Sequence, residues 1–136
     1  MVSPMVTRTP RVAVVDDDPF VLRGLRRLLR SAGFDVDTYP SGTEFLSAAT
    51  NAEPDCVVLD LRMPEMSGFD VQSHLTQSGR GTPVIVITGD DTPEARSRAL
   101  RLGAKGYLGK PVDEKALLAA IAAVIGSGDS KPGGSS

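Results

Sequence analysis

A chain of 136 residues has room for one ordinary domain and not for two. With 40% apolar and 24% charged residues it can bury a core, yet aromatics are only 4% and the net charge is −2, which excludes base-stacking surfaces and a basic field for nucleic acid. The single cysteine, Cys56, excludes an internal disulfide. The N-terminus MVSPMVTRTP has no apolar signal core and no stretch is long enough to span a bilayer, so a cytoplasmic address and no membrane partner are expected.

Residues 1–9 carry no periodic pattern and are expected to be disordered. The first strand is Val12–Val15, running into Asp16-Asp17-Asp18. Asp18 suits an N-cap and Pro19 the first helical position, after which Val21, Leu25, Leu28 and Ala32 keep helical spacing up to Gly33. A strand over Phe34–Tyr39 and a helix after Ser41 follow. The run Cys56–Leu59 leads into Asp60, with a helix near Val71–Gln77 that stops at Gly79. Val84–Ile87 leads into Thr88, with a helix from Thr92 to Leu102 that stops at Gly103. Tyr107–Leu108 leads into Lys110 and Pro111, and a last helix over Asp113–Ile125 places Leu117, Ile121 and Val124 on one face. Residues 126–136, GSGDSKPGGSS, read as a flexible linker or tail.

Strand starts recur about every 22 to 28 residues, the length of a βα unit. Most of the runs are continuously apolar, as in a parallel sheet covered on both faces. Five such units over residues 10–125 predict an α/β doubly wound sheet of five parallel strands, order 2-1-3-4-5, with five helices.

In open α/β sheets ligands bind beyond the carboxyl ends of the strands. Here those ends carry Asp16, Asp17 and Asp18, then Asp60, Thr88 and Lys110. Each alone has a plain reading as a cap, a turn residue, a strand residue or a solvated lysine. Four such coincidences at four strand ends together point to a site. Two carboxylates ~5 Å apart at an effective dielectric near 20 repel by roughly 3 kcal/mol, so such a cluster calls for a proton or a cation. With only oxygen ligands and no His or Cys beside them, a hard ion is favoured, and magnesium fits an open cleft better than calcium.

The stretches VAVVDDDP (12–19), CVVLDLRMPEMSG (56–68), VIVITGD (84–90) and GAKGYLGKP (103–111) resemble the receiver domain of bacterial two-component response regulators. SGTEFL and PVIVITG are most similar to the FixJ type, which is usually followed by a DNA-binding domain. The chain would then be a single-domain regulator or a piece of a longer one. The resemblance implies that Asp60 is the phosphoacceptor, supplied by a sensor histidine kinase or a phosphotransfer protein. It implies that Mg2+ is held by Asp17 and Asp60 directly, by Asp16 mostly through water, and by the backbone carbonyl of Arg62. It further implies that Thr88 turns its hydroxyl to the phosphoryl group with Tyr107 as the aromatic switch, that Lys110 pairs with a phosphoryl oxygen, and that Pro111 follows a cis bond. Such a chain catalyses only its own phosphorylation and dephosphorylation, and is otherwise no enzyme. It would act on transcription or another output without itself binding nucleic acid, and it could pair as a homodimer through helix 4, strand 5 and helix 5. Val112 stands where the family usually has Phe, and Gly109 loosens strand five.

Two other classes compete. Asp16-x-Asp18 after a strand is also similar to the nucleophile and acid/base pair of haloacid-dehalogenase phosphatases, which would leave Asp60 idle and need a longer chain. A flavodoxin would need a Ser/Thr-rich phosphate loop. His74 and the arginines of helix one (Arg23, Arg26, Arg27, Arg30) read as solvated surface. Arg96, Arg98 and Arg101 lie on a helix poor in apolar residues, on the face where partners are expected. Arg62 and Asp90 have the charge and reach to pair across the mouth of the site.

Overall fold

The computed structural model of the chain describes residues 9–48 and 53–129. In chain order the elements are β1 (Arg11–Val15), α1 (Pro19–Ser31), β2 (Asp35–Tyr39), α2 (Gly42–Ala48) and β3 (Cys56–Asp60). They continue with α3 (Gly68–Ser78), β4 (Val84–Thr88), α4 (Pro93–Arg101), β5 (Gly106–Gly109) and α5 (Glu114–Asp129). The strands form one parallel sheet in the expected order, β2-β1-β3-β4-β5.

The central strands β3 and β4 are buried at every position, which explains their unbroken apolar runs. Alternate residues serve opposite layers. Val12, Val14, Val58, Ile85 and Ile87 pack with Leu25 and Leu29 of α1 and Leu117 and Ile121 of α5. Val15, Val57, Leu59 and Val86 pack on the other face with Phe45 of α2, Val71 and Leu75 of α3, and Ala99 of α4. Cys56 is fully buried, and desolvation, reinforced by the nearby Asp55 charge, pushes its thiol up to about 12.

Several element ends differ from expectation, β1 starting at Arg11 and β5 spanning Gly106–Gly109, and three of the differences bear on packing or capping. Phe34 precedes β2 and packs into the α1/α5 layer. α3 begins at Gly68, three residues early, because Ser67 and Asp70 form a reciprocal capping box there. The tail expected from residue 126 opens instead with the last turn of α5, which runs to Asp129. Glycine costs about 1 kcal/mol in a helix but keeps its N–H donor, so Gly126 and Gly128 do not break the ladder. Residues 1–8 and 130–136, on which the expected disordered N-terminus and the rest of the expected tail fall, lie outside the described residues.

Candidate functional site

At the carboxyl rim of the sheet an open cleft of about 390 Å³ is lined by Asp16, Asp17, Asp18, Asp60, Arg62, Gly89, Asp90 and Lys110. The three consecutive aspartates differ sharply. Asp16 follows the buried run Val12–Val15 of β1 and is itself 0% exposed. Its Oδ1 accepts from the Asp18 N–H at 2.9 Å and its Oδ2 from Lys110 Nζ at 2.8 Å. Asp18 is the N-cap of α1, accepting from the Phe20 N–H at 2.9 Å. Asp17 is exposed to the cleft.

Asp60 is the last residue of β3 and only 3% exposed. Its Oδ1 makes two long contacts, at 3.4 Å with the Arg62 N–H and at 3.5 Å with Lys110 Nζ. Among the described residues no hydrogen bond engages its Oδ2. Burial, then the charge of Asp16, outweigh the pull of Lys110 and raise the Asp60 carboxyl to about 6. Burial alone would lower the Lys110 ammonium, but its hydrogen bond to Asp16 and the charges of Asp16 and Asp60 raise it. The repulsion expected among the carboxylates is thus met in two ways: Lys110 neutralises Asp16, and Asp60 holds its proton more tightly. One carboxylate oxygen from each of Asp16, Asp17 and Asp60 lies within 4.8 Å of the others, so this all-oxygen group can hold a metal ion.

Thr88 and Tyr107 do not line the cleft. Thr88 is fully buried at the end of β4, where its Oγ1 accepts from the Asp90 N–H at 3.0 Å. Tyr107 is buried beneath α4, with the Arg96 guanidinium 5.3 Å from its ring centre. Burial and the Asp91 charge raise its phenol, yet its Oη completes no hydrogen bond. The Lys110–Pro111 peptide is cis. Arg62 and Asp90 form a direct ion pair at the mouth of the cleft.

A sequence profile of the response regulator receiver domain matches residues 12–122. The chain belongs to the response regulator receiver family. It is 38% identical over 121 residues to the response regulator protein TodT of Pseudomonas putida, covering 89% of this chain and 53% of that one. It is 40% identical over 117 residues to the transcriptional regulatory protein PrrA of Mycobacterium tuberculosis, covering 86% and 50%. Among solved structures, a response regulator receiver protein from Burkholderia phymatum is 47% identical with a TM-score of 0.76, covering 87% of this chain and 96% of that one. The receiver domain therefore spans about half the length of the curated relatives it matches. Receiver domains are phosphoacceptor switches of two-component systems, served by histidine kinases, and this chain is such a switch domain. No described helix of this receiver domain is long and apolar enough to cross a membrane.

One residue that shapes the site was not singled out from the sequence. A Cβ on Gly68 would lie 2.4 Å from the Asp60 carbonyl oxygen and 2.8 Å from the Leu61 Cα. Only glycine lets α3 close behind the Asp60 loop. The signal was present as the S-G pair before an amphipathic stretch, but it reads equally as a plain turn.

Proposed function

We propose that Asp60 is the phosphoacceptor of this receiver domain and that Lys110 and Thr88 assist the transfer. The observation that carries this is the contrast between the acids. Both oxygens of Asp16 are engaged and Asp18 caps a helix, whereas the Asp60 carboxylate faces the cleft with one oxygen unengaged. That contrast also speaks against Asp16 as a phosphatase nucleophile.

The transfer is an in-line displacement. An oxygen of Asp60 bonds to the phosphorus of a kinase's or phosphotransfer protein's phosphohistidine as the P–N bond breaks. The electron pair leaves with the imidazole. Lys110, poised between Asp16 and Asp60, moves its ammonium onto a phosphoryl oxygen and so offsets charge as it develops. The donor set suits magnesium, which Asp17, Asp60 and the Arg62 backbone carbonyl would hold, with Asp16 acting mostly through water. When bound, the ion neutralises charge on the phosphoryl oxygens. Afterwards Thr88 releases the Asp90 N–H and turns its hydroxyl to the phosphoryl group, and Tyr107 responds with it. The α4-β5-α5 face is the output and homodimer surface, in a cytoplasmic protein whose own chain does not contact nucleic acid.

The test is the mass of the protein after incubation with acetyl phosphate and magnesium. One added phosphoryl group is expected, absent in Asp60→Asn; a gain that survives that substitution overturns the assignment.

A further inference from the structure

Among the described residues, two buried side-chain polar atoms lack any hydrogen-bond partner, Gln72 Oε1 and Tyr107 Oη, and both side chains pack against α4. Tyr107 belongs to the switch already described. Gln72 does not. It sits on α3, 1% exposed, among residues that are otherwise apolar on that face. Its Nε2 donates to the Ala99 carbonyl at 3.0 Å. Ala99 lies in the last turn of α4, where carbonyls run out of partners within the helix. The same carbonyl accepts from the Ala104 N–H at 3.0 Å, so Gln72 caps the end of α4 from a neighbouring helix.

Little else holds α4 down. Ala99 is its only buried residue, and an alanine presents a single methyl group to the core. The remaining attachments are the half-buried Ala95, packed against the same layer, and side-chain stacking at the surface, Arg98 over Phe69 at 4.2 Å and Arg96 over Tyr107. Beneath its C-terminal end lies a cavity of about 360 Å³, lined in part by Gln72, Leu75, Val84, Leu102 and Gly103. A helix with one buried and one half-buried methyl against the core, open space under one end and two unsatisfied polar atoms along its buried side has room for a second packing.

We propose that Gln72 is a tether for α4. Its bond to Ala99 holds the helix in the packing seen here, and its strength sets how readily α4 shifts when Asp60 is phosphorylated. The second half of this inference rests on Asp60 as phosphoacceptor; the first half does not. Gln72 is a positioning residue, 12 positions along from Asp60 in the chain and acting through α4.

The experiment is residue-resolved amide hydrogen exchange on the whole chain, comparing wild type with Gln72→Met and Gln72→Leu. Both variants preserve bulk and remove the amide, and the second stands in if the first fails to fold. Exchange at α4 amides should rise about tenfold or more, while α1 and α5, on the other face of the sheet, keep wild-type rates. Unchanged α4 rates, or a uniform rise in every helix, would overturn the tether. The same variants are then titrated with beryllofluoride and magnesium, a mimic of the phosphorylated state. Loosening α4 should move the midpoint to lower concentration by about three- to tenfold, because less of the mimic's binding is spent on shifting the helix. A loosened α4 with an unmoved midpoint would overturn the link to Asp60. The exchange arm involves no phosphoryl chemistry, so its failure is separate from any failure of the Asp60 assignment, which the acetyl phosphate mass decides.

Discussion

Asp60 carries an electrostatic load that the acid is kept for in spite of its cost. Its carboxyl stands near 6 in the folded chain against an ordinary 3.8. Between those values the folded state keeps a proton that the unfolded state has lost, so the contribution of Asp60 to stability is most favourable below pH 4 and is lost as pH rises through 6. Asp60→Asn removes the load. In chelator at pH 7.5 the variant should be more stable than wild type by about 1–3 kcal/mol in urea unfolding, and the difference should shrink towards zero at pH 4. A variant less stable at pH 7.5 would contradict the electrostatic account. Arg62 and Asp90 concern time rather than stability. As an exposed pair they are worth about 0–1 kcal/mol, but a tenfold change in rate needs only ~1.4 kcal/mol of barrier. Standing over the mouth, the pair would obstruct water approaching an acyl phosphate formed on Asp60. Decay of the phosphorylated protein should quicken several-fold in Arg62→Ala and in Asp90→Ala, with no further gain in the double variant. Equal lifetimes in all four proteins would leave the pair without a role in timing.

At the scale of elements, the junction of β3 and α3 holds the tightest of the described glycines. Gly68→Ala puts a methyl into the Asp60 carbonyl, and backbone cannot yield as a flexible side chain does. We expect a loss of about 2 kcal/mol or more in urea unfolding, with slower acetyl phosphate labelling because the loop bearing Asp60 moves. A silent Gly68→Ala would show that α3 can retreat. The same junction marks where the sequence stops being readable. The buried strands and their polar ends were legible, since a run such as VIVIT admits few other readings. The start of the helix after β3 was not: Gly68 is a poor helix former, and its use is a close contact with Leu61 and Asp60 that only the folded chain makes. Gln72 was opaque for a related reason, as a polar residue at a helical position reads as surface until its partner on another helix is known. The pairing of Lys110 was half legible. Its convergence with the acids followed from the strand ends, but its closer approach to Asp16 than to Asp60 is a matter of 2.8 against 3.5 Å.

For the whole molecule, a cluster of like charges that a cation relieves ties metal to folding. Magnesium that binds the folded chain alone should raise the melting temperature, with about 2.7 kcal/mol gained at a hundred times the dissociation constant. Asp17→Asn should lose that increment and yet melt no lower than wild type in chelator, since it takes one charge out of a crowd of three. Thermal melts of both proteins, with magnesium and with chelator, check each half. An Asp17→Asn protein that still gains stability from magnesium would place the ion elsewhere.

The parallel sheet has a further consequence, for the newborn chain. β1 lies between β2 and β3, and β3 between β1 and β4, so every pairing spans a full helical crossover. Asp16 comes from the first strand and Lys110 from the end of the last. A ribosome-bound fragment that stops before β5 has Asp60 but no lysine to offset its neighbours. Only a chain synthesised and closed through β5 assembles the complete charge set. Capacity to accept phosphoryl should therefore appear late and abruptly in a series of nascent chains of increasing length, making the first phosphorylation a report that folding is finished.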